Sequence, residues 1–139
     1  MTYTITYSKG QQHHLTELLN KGIADYAMEK KGLAPIETFA FSLENENQKL
    51  AGGCSGVMYY GCLYVDMLWV TEKLRHIGYG IQLMNAAENL GKDKGCLFAT
   101  VNTMDWEALN FYKKIGYYVE FERHGYLKNS IFYFLRKDL

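Results

Sequence analysis

The stretch VTEKLRHIGYGIQLMNAAENLG, from Val70 to Gly91, decides the fold of this chain. Arg75 stands three residues before Gly78, Gly80 follows, and a run with helical periodicity begins at once. The first turn of a helix has backbone N–H groups without intrahelical partners, and the helix dipole adds positive charge there. Glycines let a ligand approach the backbone, and an arginine adds donors suited to phosphate oxygens. The pattern favours a pyrophosphate cradle, although a glycine-capped surface turn explains the spacing equally well.

Length and composition indicate one globular domain, which we expect to span residues 1–139. The formal net charge is zero, which argues against a strongly basic nucleic-acid binder. No apolar run approaches the roughly 20 residues of a membrane helix. The N-terminal segment MTYTITYSKGQQHH also lacks the apolar core of a secretion signal. We therefore expect a cytoplasmic protein with neither a nucleic-acid nor a membrane partner.

The three cysteines, Cys54, Cys62 and Cys96, form no CxxC pair and no zinc-binding spacing. This pattern predicts reduced thiols and no metal site. Cys54 and Cys96 lie among apolar or small residues, which favours inert buried thiols over a catalytic Cys–His pair.

Periodicity divides the chain into alternating strands and helices. Tyr3–Tyr7 is typical of a short strand, and His13–Lys31 has helical spacing, with Gly22 allowing a break into two helices. Gly32 and Pro35 end that segment. Further strands are expected over TFAFSLE, KLAGGCSGVMYYG, CLYVDMLWV, CLFATVN, YYVEFE and SIFYFLRK, and further helices from about Ile81 to Lys94 and over MDWEALNFYKKIG.

The nearly apolar nine-residue run CLYVDMLWV is expected to be a central strand. In the last helix, Asp105 is expected to cap the start and Gly116 the end. The order of elements predicts a mixed α/β sheet with helices on both faces.

Two motifs together resemble the GNAT superfamily of acyl-CoA-dependent N-acetyltransferases. The glycine turn matches the family's Arg/Gln-x-x-Gly-x-Gly/Ala motif, after a buried strand and before a helix. Two motifs in order and in context are much more specific than one. The resemblance covers roughly residues 50–139 well and the N-terminal third weakly. The ending YFLRKDL and the run GG…LYVDMLWV resemble a subgroup of small bacterial acetyltransferases, some of which resemble antibiotic-resistance proteins. The second segment, ALNFYKKIGY, matches a family helix at Ala108, Phe111, Tyr112, Lys114, Gly116 and Tyr117.

The resemblance implies a GNAT-like α+β fold, with a mixed, mostly antiparallel sheet of about six to seven strands and helices on both faces. It implies acetyl-CoA as the co-substrate and no metal. Backbone groups of Leu68, Trp69 and Val70 would hold the pantetheine arm and the acyl carbonyl, with Arg75 at the rim of the pyrophosphate. The N–H groups of the turn would hold the pyrophosphate itself: His76, Ile77, Gly78, Tyr79 and Gly80.

Two residues are candidates for the chemistry. The resemblance implies that Tyr112 points at the thioester sulfur and protonates the leaving thiolate, and a phenol has an ordinary pKa near 10. Without the motif, Tyr112 would be taken as a core residue. Asp66 is the one charge in an apolar strand, where a carboxylate must find partners or shift its pKa upward. It is a candidate base or amine anchor; a structural carboxylate or a water relay are the alternatives.

Several polar residues are weaker candidates. Asn110 is a candidate contact to the cofactor, and Asp105 stands where the family often has asparagine. His124, Tyr126 and Glu37 lie in segments that border the acceptor site in the family, although a loop or surface role is the simpler interpretation for each.

The sequence thus predicts an N-acetyltransferase that transfers an acetyl group to a primary amine of a small molecule by direct attack on the thioester. A non-catalytic acyl-CoA-binding module and an enzyme acting on a protein or peptide amine are the alternatives. A P-loop is disfavoured because the Gly-Lys-Ser/Thr ending is absent, and a Rossmann site because the glycine spacing differs. The acidic residues Glu37, Glu44 and Asp66 would suit a cationic amine, and the aromatic surplus permits a homodimer.

Overall fold

The computed structural model describes residues Met1–Leu139 and divides them into two compact units, Met1–Ile36 and Glu37–Leu139. Each unit is described by itself. A single domain over the whole chain therefore stays a prediction.

The N-terminal unit contains one helix, α1 (His13–Lys31), which continues through Gly22 without a break. It ends at Gly32, whose φ of +65° is the left-handed conformation that glycine adopts at helix ends. The predicted strand over Tyr3–Tyr7 is wrong, because no strand forms there. Its β-branched and aromatic content was a local signal, but a strand exists only when its backbone pairs with another, and no ladder includes these residues.

The second unit is built on a six-stranded sheet in the order β1-β2-β3-β4-β6-β5. The β3–β4 pair is parallel, whereas the other four pairs are antiparallel, so the prediction of a mixed, mostly antiparallel sheet is confirmed. The strands are β1 (Glu37–Glu44), β2 (Leu50–Tyr59), β3 (Cys62–Val70), β4 (Phe98–Met104), β5 (Tyr118–Arg123) and β6 (Phe132–Asp138), with helices α2 (Tyr79–Asp93) between β3 and β4 and α3 (Leu109–Lys114) between β4 and β5.

The start of α3 differs from the prediction, because Asp105 does not cap it. The Asp105 carboxylate accepts the backbone N–H of Ile131 at 3.1 Å, and its own N–H donates to the Ile131 carbonyl at 2.9 Å. The helix begins later, at Leu109. Gly116 follows the end of α3 with a φ of +102°, as expected of a terminating glycine.

The core lies on one face of this sheet. Along β4, the buried residues alternate, as a strand with one packed face requires: Ala99, Val101 and Thr103. Both α2 and α3 join the same cluster, α2 through Met84 and α3 through Tyr112. The expected helix layer on the opposite face stays a prediction.

Gly56 of β2 is required by close strand packing. A Cβ there would overlap the carbonyl oxygen of Tyr64 on β3, which is backbone and cannot move aside easily. We expect Gly56→Ala to lower the free energy of unfolding by about 3 kcal/mol, as overpacking does. Gly22→Ala is the control: its Cβ would meet nothing within 4 Å in α1 and should stabilise by up to about 1 kcal/mol. Chemical denaturation measures both, and an unchanged midpoint for Gly56→Ala would contradict the packing argument.

Candidate functional site

A gap opens in the sheet between β3 and β4. The parallel ladder runs only from the Cys62–Phe98 pair to the Val65–Val101 pair. Beyond it, β3 continues to Val70 beside β2 alone, and β4 continues beside β6 alone. Backbone groups that face this gap therefore have no strand partner, and an extended ligand would find donors and acceptors there.

A β-bulge coincides with the point at which the two strands separate. Ser55 pairs with Met67 and Gly56 with Val65, which leaves Asp66 as the extra residue of β3. A bulge bends its strand and increases the local twist, and it thus accounts for the divergence of β3 from β4.

The turn after β3 forms a concave array of backbone donors. His76 and Gly78 have positive φ angles of +65° and +102°, an alternation that turns successive N–H groups inward. The six N–H groups from His76 to Ile81 have no hydrogen-bond acceptor in the protein. Helix α2 begins here, with no side-chain cap and no acidic residue in its first turn. This donor set fits an anionic diphosphate, and all five turn residues singled out in the sequence lie in it.

The two motif glycines have different surroundings. At Gly78 an added Cβ would meet only the Gln82 side-chain nitrogen, at 4.0 Å, so the backbone is open to a ligand. At Gly80 it would lie 3.2 Å from the Phe111 ring. Gly80 therefore allows α2 to pack closely on α3, whereas the sequence had suggested ligand approach at both glycines.

Arg75 joins the turn to the end of β3. Its Nε donates to the Val70 carbonyl at 2.8 Å, and its guanidinium lies 5.9 Å from the centre of the Trp69 ring. Trp69 is exposed, and Leu68 packs against the edge of the core. Arg75 thus fixes the three strand-end residues relative to the donor array, and one lone pair of the Val70 carbonyl is already occupied.

Tyr112 is buried, with only 6% of its surface exposed, between Phe111 and Tyr117 at ring-centre distances of 5.2 and 5.8 Å. Its hydroxyl makes no hydrogen bond with the protein and is not among the fully buried polar atoms, so it retains access to solvent. Burial raises the pKa of Tyr112 to about 12, and the charges of Glu107 and Cys54 contribute. The hydroxyl is thus a protonated donor at neutral pH.

Asp66 does not have the buried environment predicted for it. Its side chain is exposed, and its Oδ1 accepts a hydrogen bond from the Ser55 hydroxyl at 2.9 Å. Ser55 and Cys54 are neighbours on β2, so their side chains point to opposite faces of the sheet. Cys54 lies in the core cluster that also contains Tyr112. Asp66 and Tyr112 therefore lie on opposite faces of the sheet, one on each side of the gap.

A buried ion pair escaped the sequence analysis. Glu88 of α2 is 4% exposed and accepts hydrogen bonds from the Tyr117 hydroxyl and the Lys137 ammonium, both at 2.8 Å. Glu88 thus links three elements: helix α2, the turn that follows α3, and strand β6. Position 88 continues the buried stripe of α2 formed by Met84, Ala87 and Gly91, and this helical spacing is the sequence signal that could have placed the carboxylate on the core face.

The buried tyrosines predict a loss of stability in alkali. The pKa of Tyr112 is raised to about 12 in the folded state, so the unfolded chain loses this proton first as the pH rises through 10. The stabilisation is complete below pH 10 and is lost towards pH 12, by on the order of 3 kcal/mol. Urea denaturation of wild type and Tyr112→Phe at pH 8 to 11.5 measures it; equal slopes against pH would contradict the burial effect.

The three thiols have the environment of inert cysteines. Burial raises the pKa of Cys54, Cys62 and Cys96 alike. The Cys54 thiol also donates to the Leu83 carbonyl at 3.7 Å. None of them is activated as a thiolate nucleophile.

An open concavity of about 660 Å³ lies at the carboxyl end of β4. Tyr126, one of the residues suggested as an acceptor-site wall, lines it. The other two pair elsewhere: Glu37 with Lys94 at 3.2 Å and His124 with Glu122 at 3.5 Å. The residues that line the concavity are Met104, Trp106, Tyr126, Leu127, Lys128 and Ser130.

Asn110 is exposed on α3 and makes no side-chain hydrogen bond, so its contact to a cofactor stays a prediction. Among the helices, none has the combined length and apolarity that a bilayer crossing requires. The cytoplasmic location and the homodimer also stay predictions.

Comparison with known proteins identifies the family. The family model described as "Acetyltransferase (GNAT) family" matches residues 8–117. Blasticidin-S acetyltransferase of Streptomyces morookaense is 37% identical over 84 residues, which cover 60% of this chain and 62% of that protein, less than two thirds of its length.

Solved structures support the same family assignment. A crystal structure of an acetyltransferase from Bacillus cereus ATCC 14579 has a TM-score of 0.78 and 31% identity, over 96% of this chain and 98% of its own. A structure from Bacillus anthracis str. Ames in complex with acetyl coenzyme A has a TM-score of 0.66 at 16% identity, over 73% of this chain and 62% of its own, and shows the fold alone. The chain belongs to the acetyltransferase (GNAT) family.

Proposed function

We propose that the protein is an acetyl-CoA-dependent N-acetyltransferase that transfers an acetyl group to a primary amine of a small molecule by direct attack on the thioester. The observation that carries this proposal is the gap between β3 and β4, which leads into the six unpartnered N–H groups of residues 76–81. An extended arm and an anionic diphosphate would fit these two features in turn.

The chain's own groups suit each part of acetyl-CoA, which supplies an activated acetyl thioester when bound. The donor array at the start of α2 would hold the diphosphate, as helix N-termini do for phosphates. The unpaired edge of β3 at Leu68, Trp69 and Val70 would hold the pantetheine amides and polarise the acyl carbonyl. Arg75 would keep this edge and the array at a fixed separation through its bond to Val70.

Tyr112 would stabilise the departing sulfur as a hydrogen-bond donor. Its pKa of about 12 exceeds that of an ordinary thiol, near 8.5, so complete proton transfer to a thiolate is uphill by roughly 5 kcal/mol. Donation without transfer still lowers the energy of the negative charge that develops on the sulfur. Tyr112 would therefore donate a hydrogen bond to the sulfur, whereas the resemblance had implied that it transfers its proton to the thiolate.

Asp66 would act on the amine from the opposite face of the sheet. An amine attacks only when it is neutral, and a carboxylate at the gap would accept its proton or anchor its ammonium form. The Ser55 hydroxyl holds this carboxylate in place. The amine would then attack from the Asp66 face, and the sulfur would leave on the Tyr112 face. Asp66 would thus act on the nucleophile and Tyr112 on the leaving group of the same displacement.

Direct attack is favoured over an acyl-enzyme. The pKa of each of the three cysteines is raised, which disfavours the thiolate form that would have to carry the acetyl group. A small-molecule acceptor is supported by the relationship to a protein named blasticidin-S acetyltransferase.

An acetylation screen tests the proposal. The protein is incubated with acetyl-CoA and a panel of primary amines and peptides, with products identified by mass spectrometry. We expect small amines to be acetylated on nitrogen, and Asp66→Asn to lower kcat without weakening acetyl-CoA binding. Faster acetylation of peptide amines would favour the protein-acetylating alternative. Binding of acetyl-CoA without any transfer would favour the non-catalytic module.

A further inference from the structure

The concavity at the carboxyl end of β4 lies next to the gap. Its first lining residue, Met104, ends the β4 segment that has separated from β3. Met104 alternates along β4 with the core-facing residues Val101 and Thr103, so it lies on the face of the sheet opposite Tyr112, which is the face of Asp66. A molecule in this concavity therefore approaches the gap from the Asp66 side, from which the amine attacks.

Three hydrogen bonds fix the two walls of the concavity relative to each other. The Trp106 indole N–H donates to the Ser130 hydroxyl at 2.9 Å, and Asp105 and Ile131 exchange the two bonds described above. These bonds join the turn before α3 to the segment before β6. A wall held in this way loses little conformational freedom when a ligand binds.

The lining offers a planar apolar surface. The Trp106 N–H is satisfied, yet 69% of the residue's surface is exposed, so its ring is free to contact a ligand. Tyr126 packs against Phe132 with ring centres 5.5 Å apart, and Leu127 is 89% exposed. Such apolar exposure in a concave site is typical of ligand binding.

The loop that completes the wall is strained. Lys128 and Asn129 both have positive φ angles, +61° and +56°, which are unfavourable for two consecutive residues other than glycine. Strain of this kind persists where the surrounding structure requires it, and it clusters at ligand sites.

We propose that this concavity binds a planar aromatic or heteroaromatic group of the acceptor, while the acceptor's primary amine reaches the gap. The proposal rests on the N-acetyltransferase function and names its substrate class. Lys128 is the charged lining residue, so a cationic ring is disfavoured there, and the positive charge of the amine lies towards Asp66. The acidic residues Glu37 and Glu44 do not line this surface, whereas the exposed Trp106 ring does and suits a planar partner.

A matched pair of amines tests planarity alone. Phenethylamine and cyclohexylethylamine have the same carbon skeleton, but only the first has a flat ring. We expect kcat/KM to favour phenethylamine about tenfold, a ratio that aromatic contacts typically support. Trp106→Phe, which keeps a flat face, should retain the preference, and Trp106→Leu, which keeps apolar bulk, should abolish it. Leu97→Ala, an exposed position before β4 at the opposite end of that strand, should leave the ratio unchanged.

The outcomes separate this proposal from the general function. Acetyl-CoA binding is measured by calorimetry in every variant, so failure there would contradict the transferase itself. If acetyl-CoA binds and other amines are acetylated, equal use of the two probes, or use of neither, would overturn the planar site. Retention of the preference in Trp106→Leu would overturn it as well.

Discussion

Replacement of Tyr112 by phenylalanine should lower kcat about 100-fold while leaving the dissociation constant of acetyl-CoA unchanged. The change removes one oxygen from a buried ring that remains packed against Phe111 and Tyr117. The lost interaction exists only when negative charge develops on the sulfur, so it appears in kcat and not in binding. Steady-state kinetics with a true acceptor and calorimetry with acetyl-CoA measure the two quantities.

Tyr59→Phe is the matched control, because Tyr59 lies at the β2–β3 hairpin end of the sheet, away from the gap. It should retain wild-type kcat. Because the pKa of Tyr112 is about 12, the wild-type enzyme should show no fall in kcat from ionisation of this group below pH 10. Wild-type kcat in Tyr112→Phe would contradict the donor role.

Gly78→Val should weaken acetyl-CoA binding at least 100-fold. Gly78 has a φ of +102°, and a β-branched residue cannot adopt this conformation without strain. The substitution would turn the donor array at residues 76–81 away from its inward orientation and place methyl groups in front of it. Loss of several charge-assisted hydrogen bonds to a diphosphate accounts for the size of the effect.

Gly95→Val separates loss of binding from general strain. Gly95 follows the opposite end of α2, has a φ of +85°, and a Cβ there would meet nothing within 4 Å. Both variants should therefore lose similar amounts of stability, but only Gly78→Val should lose acetyl-CoA affinity. Equal affinities of the two variants would show that the array does not hold the cofactor.

Features encoded by neighbouring residues were predictable from the sequence. The central strand β3 follows from its apolar run, and the start of α2 from the two glycines that precede it. The end of α1 was predictable because a glycine, Gly32, follows the last residue with helical spacing. The order of these elements was sufficient to predict a mixed sheet.

Features that depend on distant partners were not predictable. The separation of β3 from β4 requires the register of β2, which places the bulge at Asp66. Asp105 bonds to Ile131, 26 residues away, so its role as a cap was wrong. The Glu88 ion pair joins three separate elements, and the Tyr3–Tyr7 strand failed because no partner strand pairs with it.

Calorimetric titration of the folded protein with acetyl-CoA, with ATP and NAD as controls, tests the proposed cofactor site most directly. We expect saturable binding of acetyl-CoA and much weaker binding of the two other nucleotides, because only acetyl-CoA has both a diphosphate for the donor array and an arm for the β3 edge. If a folded sample does not bind acetyl-CoA, or binds ATP equally well, the gap and the donor array do not form a cofactor site and the proposed activity is wrong.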